Sequence, residues 1–87
     1  MGEFDCIVFK HGQEPFIHRV NSTSQPFNID FPERQTYESF TIDRIEEVEE
    51  GSGEPALYLV ANKKQVERSE ISRQIKLLKP RPVKYFR

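Results

Sequence analysis

The sequence predicts a mainly β fold, a small single-domain, partly open β-barrel or sandwich of about five to six antiparallel strands with one short C-terminal helix or helical turn. Three observations carry this. Apolar and polar residues alternate in runs of strand length, as in Phe27-Asn28-Ile29-Asp30-Phe31. Turn clusters such as Lys10-His11-Gly12-Gln13-Glu14-Pro15 and Gly51-Ser52-Gly53-Glu54-Pro55 separate these runs. Near the chain's end Ile71, Ile75 and Leu78 recur at helical spacing, and Pro80 stops the run. With 87 residues there is room for one core. A mean hydropathy of −0.70 makes that core thin, while seven Phe and three Tyr oppose disorder.

Taken in order, residues 3–10 carry Phe4, Cys6 and Val8 on one face and Ile7 and Phe9 on the other, so both faces are apolar, as in a central strand. Residues 16–20 return as its partner, with Phe16, His18 and Val20 together. Residues 27–31 form a third strand that Pro32 ends. Residues 37–50 carry a helical stripe, Tyr37, Phe40, Arg44, Ile45 and Val48, that Thr36 would cap. The glutamates at 46, 47, 49 and 50 would crowd the negative end of such a helix, and the β-branched residues favour a long strand instead. A bulge near Asp43-Arg44 would keep Ile42 and Ile45 inside, and a Gly-rich turn leads into residues 56–61. Residues 65–68 read as a short strand, and Ser69 as the cap of a helix over 69–78, with a single 3₁₀ turn followed by a strand over residues 75–78 as the competing reading. The expected core is Phe4, Val8, Phe16, Val20, Ile29, Phe40, Ile42, Leu57, Leu59, Ile71, Ile75 and Leu78. Residues 1–78 form the compact unit; residues 79–87 read as an extended Pro/aromatic tail.

From Phe40 to Leu78 the order of long strand, distal hairpin, strand, Ser-led turn and short final strand resembles the layout of a Src-homology-type small barrel. Barrels of that kind that bind proline-rich peptides use a groove built around a Trp pair, and this chain has no Trp, so their binding function is not implied here.

Chemistry is constrained mostly by exclusion. No apolar run approaches the roughly 18–20 residues of a membrane span, and the N-terminus has no signal-peptide pattern. Gly2 opens like a myristoylation site, but Cys6 stands where Ser or Thr is wanted. Asn21-Ser22-Thr23 fits a glycosylation acceptor, and without an export signal it reads as a polar loop. One cysteine permits no internal disulfide, and a cytoplasmic protein is expected. Cys6, His11 and His18 fit no zinc spacing, and no phosphate-cradling Gly loop or nucleophile elbow is present, so neither metal nor cofactor is expected. The carboxylate pairs Glu46-Glu47 and Glu49-Glu50 read as a solvated edge. Cys6 and His18 lack an orienting third group, and no enzyme is expected.

Charge supplies the positive signal. The net charge of −1 is the balance of two opposed parts: residues 1–62 hold four basic and twelve acidic residues, residues 63–87 nine basic and two acidic. Beyond Glu70 no acidic residue occurs. The basic segment, Arg73, Lys76, Lys79, Arg81, Lys84, Tyr85, Phe86 and Arg87, is therefore the expected partner-binding surface of a regulatory or accessory binding module that docks on a larger protein or nucleoprotein complex. Direct DNA or RNA binding is the alternative, with cations on phosphates and Tyr85 and Phe86 stacking on bases. A third reading lays the basic stretch against the protein's own acidic hairpin, or against that of a second copy in a homo-oligomer.

Overall fold

The computed structural model describes residues 4–49, 51 and 53–83. In chain order the elements are β1 (Phe4–Phe9), β2 (Phe16–Val20), β3 (Phe27–Phe31), a 3₁₀ turn (Pro32–Arg34), β4 (Thr36–Phe40), β5 (Asp43–Val48), β6 (Pro55–Asn62) and α1 (Arg68–Leu78). Four strands form one sheet in the order β2-β1-β6-β5, and β3 and β4 pair as a separate hairpin. The protein is thus mainly β, with two sheets that do not close into a barrel and one C-terminal helix.

The sheet's centre dictates the rest. Cys6, Ile7, Val8 and Phe9 in β1 and Leu59, Val60 and Ala61 in β6 are at most 1% exposed, so both faces need a cover. One cover is α1, which sets Ile71 and Ile75 on Ile7, Phe9, Ala56, Tyr58 and Val60. The other is the β3–β4 hairpin, which sets Phe40, Phe27 and Ile29 on Cys6, Val8, Leu59 and Ala61. Glu38 fastens this hairpin. Its carboxylate meets Lys10 Nζ at 3.1 Å and Lys63 Nζ at 3.6 Å. The two ammonium groups also sit over the Phe31 and Phe40 rings, at 4.5 and 4.9 Å. Lys63 further donates to the Ser39 carbonyl at 2.8 Å.

Several local expectations are corrected. Residues 37–50 are two strands in different sheets, because the chain crosses between layers at Thr41-Ile42. No bulge is needed: Ile42 enters the hairpin-side core and Ile45 the helix-side core. Within the sheet, β1 and β6 run parallel, with Cys6 opposite Leu59, whereas only antiparallel pairs were expected. Apolar residues on both faces reveal that a strand is central without naming its neighbour or fixing that neighbour's direction. Residues 65–68 are not a strand. The Asn62 side-chain amide occupies both the Val66 N–H and C=O, at 2.9 and 3.1 Å, and Gln65 turns through the left-handed region at φ 61°. This delivers Glu67, rather than Ser69, to the N-cap position of an 11-residue helix. With that short strand gone and the helix a full one, the Src-homology layout does not form.

Edges are guarded. The Leu57 carbonyl accepts from the Val83 N–H at 2.7 Å on the side away from β5. Glu46, opposite Leu57, therefore turns its own backbone groups outward from the sheet. Arg68 Nη2 donates to that exposed Glu46 carbonyl at 2.6 Å and blocks the middle of the edge against another strand. At the other edge, Pro15 precedes β2 and offers no N–H. Among the described residues no helix is long and apolar enough to cross a membrane.

Phe40 is 2% exposed and stacks on Phe27 at 5.5 Å, so Phe40→Ala should cost about 3–5 kcal/mol in urea unfolding. Glu38→Gln should lower the melting temperature more than Lys10→Met, since only the former leaves a buried ammonium without its counter-ion.

Candidate binding groove at the end of the helix

α1 runs back over β6 but stops short of covering the sheet, and the uncovered area is an open groove of about 740 Å³. Its apolar lining comes from Tyr58, Ile75, Val48, Pro80 and Pro82. Lys76, Lys79 and Arg81 line it from the helix end and the segment beyond, Glu47 from edge strand β5 and Glu49 from just past it. Local structure explains this placement. Lys79 ends α1 in the left-handed region (φ 53°, ψ 54°), with its N–H on the Ile75 carbonyl at 3.0 Å. Pro80 then carries the chain back toward the sheet, where Val83 bridges to Leu57.

An aspartate secures this returning segment. Asp5 Oδ2 accepts the Arg81 N–H at 2.9 Å and Arg81 Nε at 3.5 Å, while Arg19 Nε lies 3.2 Å from Oδ1. Burial pushes the Asp5 carboxyl up, but the Arg81 amide and guanidinium and the Arg19 charge outweigh it and hold the group below its ordinary range. Glu47 is held similarly. The Ser72 hydroxyl donates to Oε2 at 2.7 Å and lowers its pKa most; burial opposes, and Arg68, at 2.7 and 3.0 Å, completes the lowering.

Of the residues expected from sequence, Lys76, Lys79 and Arg81 converge on one groove. Arg73 does not join them; its guanidinium forks onto Glu70 through two bonds of 2.9 Å. Lys84, Tyr85, Phe86 and Arg87 lie outside the described residues. Part of the charge asymmetry is therefore neutralised internally, in the Arg68–Glu47, Arg81–Asp5 and Lys63–Glu38 pairs. Among the described residues, Lys76 and Lys79 make no ion pair or side-chain hydrogen bond. Sequence reasoning missed Asp5, Arg19, Glu47 and Tyr58 as parts of this region. The antiparallel register that sets Asp5 opposite Arg19 was the available signal, because the two strands and their turn were legible.

Cys6 and His18 are cross-strand neighbours, yet they make no nucleophile and base. Cys6 is fully buried, and that burial pushes its thiol up to about 12. His18 stacks on Phe27 at 5.5 Å, and burial holds its pKa below the ordinary value, favouring the neutral ring. Both side chains belong to the hairpin-side packing.

The fold and groove together define a small β-rich domain with a helix-capped sheet. Compared with protein-family models, curated proteins and solved structures, the chain has no match.

The Asp5, Glu38, Glu47 and Glu70 pKa values are all lowered in the folded chain. Each thus contributes stability that is complete above its unfolded pKa and is lost as pH falls through the folded one. The urea midpoint should begin to fall below about pH 6.5, where only the unfolded chain protonates His18 freely, and drop more steeply from about pH 4.5 downward. Asp5→Asn should lower the midpoint at pH 7 and make the acid fall shallower. Cys6 should resist a thiol reagent in native buffer and react at once in denaturant.

Proposed function

We propose that this chain is a non-catalytic, accessory docking module that holds a segment of a larger protein or nucleoprotein complex in the groove at the end of α1. The carrying observation is the groove's composition: apolar lining between residues of opposite charge, Lys76, Lys79 and Arg81 facing Glu47 and Glu49. A polypeptide offers apolar side chains and charges of both signs within a few residues. A nucleic-acid backbone offers one sign only, and so complements the cations but neither the apolar lining nor the carboxylates. Lys76 and Lys79, unpaired among the described residues, lie in the last turn of α1 and at its C-cap, ready for an anionic group of the bound segment. Leu77 (61% exposed) and Val48 (67% exposed) add apolar surface on the helix and on the edge strand. Nucleic-acid binding through the same cations is the competing reading, favoured by the run of basic residues without an acidic one after Glu70.

The test uses peptides selected from a random display library on the full-length chain. Selected peptides should shift the backbone amide signals of Val48, Tyr58 and Lys76. Lys76→Glu with Lys79→Glu should weaken them at least tenfold, about 1.4 kcal/mol, with an unchanged circular dichroism spectrum. Tight binding of single-stranded RNA or duplex DNA at about 50 mM salt that collapses at about 200 mM, with a shallower salt slope in the double variant, would overturn the protein-docking reading.

A further inference from the structure

Two arginines from opposite ends of the chain meet on one carboxylate. Arg19 reaches Asp5 Oδ1 from β2, and Arg81 reaches Oδ2 from the segment after α1. Asp5 itself is largely buried, with its side chain 11% exposed, whereas the Arg19 and Arg81 side chains are 49% and 66% exposed. Each guanidinium approaches Asp5 through Nε, and among the described residues its two Nη groups make no hydrogen bond. An arginine offers five N–H donors in a planar fork, so most of each fork remains unspent.

We propose that Arg19 and Arg81, set side by side by Asp5, form a receptor for one carboxylate, an aspartate or glutamate side chain of the segment bound in the adjoining groove. The charge tally selects this ligand. Among the described residues, two guanidinium groups against one carboxylate leave a surplus of one positive charge. A second carboxylate makes the cluster neutral, with acidic and basic groups alternating and each new contact charge-assisted. A phosphate dianion would overshoot neutrality beside Asp5. Preorganisation selects the site: the Arg81 main chain is fixed by its own N–H bond to Asp5, and Arg19 is fixed by the β1–β2 register that places it opposite Asp5. Less side-chain freedom is then lost on binding than at an unrestrained surface arginine. Arg81 also lines the groove, which makes the receptor continuous with it. The inference rests on the docking reading and adds to it the anchor residue of the bound segment.

Its test is a titration of the full-length protein, at millimolar ligand, with two capped pentapeptides that carry either glutamate or glutamine between two leucines. The reporters are the arginine Nε–Hε resonances. The glutamate peptide should move those of Arg19 and Arg81 and leave Arg44 and Arg68 in place. The glutamine peptide should shift only groove amides such as Val48 and Tyr58. Arg19→Gln should weaken the glutamate peptide at least threefold and abolish the preference for it. Arg81→Gln, which keeps the Arg81 position's backbone bond to Asp5, should do the same without changing the melting temperature appreciably. Equal binding of both peptides in the groove would overturn the receptor and leave the docking reading standing. Inorganic phosphate moving the same two resonances at lower concentration than the glutamate peptide would overturn the choice of carboxylate. If neither peptide shifts groove or arginine signals, both readings fail.

Discussion

Seven consecutive-in-space residues of β1 and β6 are shielded from water on both sides of the sheet, and the architecture is the set of coverings this demands. A strand pair of this kind cannot stand in a two-layer protein with one wet face. It recruits a helix on one side and a detached hairpin on the other, giving three layers in a chain of 87 residues. The thin composition is then enough, because the driest residues are concentrated in two strands. The covers need only one apolar face each: α1 supplies Ile71 and Ile75, and the hairpin supplies Phe27, Ile29 and Phe40.

Since the hairpin shares no strand pairing with the main sheet, its position depends on side chains. Lys10 and Lys63, which follow β1 and β6, converge on Glu38 and use aromatic rings of the hairpin as platforms. The same economy governs the opposite layer, where Arg68 and Ser72 grip Glu47 and Arg68 also covers the sheet edge. Charges that look surplus in the sequence thus tie covers to the sheet. Among the described cations left outside these ties, Lys76 and Lys79 cluster where α1 ends.

The strands and the helix were largely legible in the sequence because period-two alternation and turn chemistry are local. Both-sided burial of β1 was legible for the same reason, since Ile7 and Phe9 oppose Cys6 and Val8. Long-range choices were not. The crossing at Thr41-Ile42 leaves the alternation nearly continuous, so two strands of different sheets read as one. Residues 65–68 read as a strand resuming after a polar turn, while the decisive partner, the Asn62 side chain, competes with a ladder through one residue's amide. At the groove, the cationic wall was legible as a run of charge. Glu47 and Tyr58 reach it from strands far away in the chain, and Asp5 from the first strand, so only the fold brings them there.

The parallel pairing of β1 with β6 also sets a timetable for assembly. β1–β2, β3–β4 and β5–β6 are each antiparallel neighbours joined by short connections, so each can form as soon as its own residues are available. Cys6 meets Leu59 only after more than fifty intervening residues have been brought round, a closure whose entropic penalty precedes any burial of the two central strands. Until then the first strand has one of its two sides unpaired. The docking of β1 on β6 is thus the closure of largest sequence separation in the main sheet. A nascent chain carries Phe4–Phe9 in this half-paired state until Pro55–Asn62 has been synthesised.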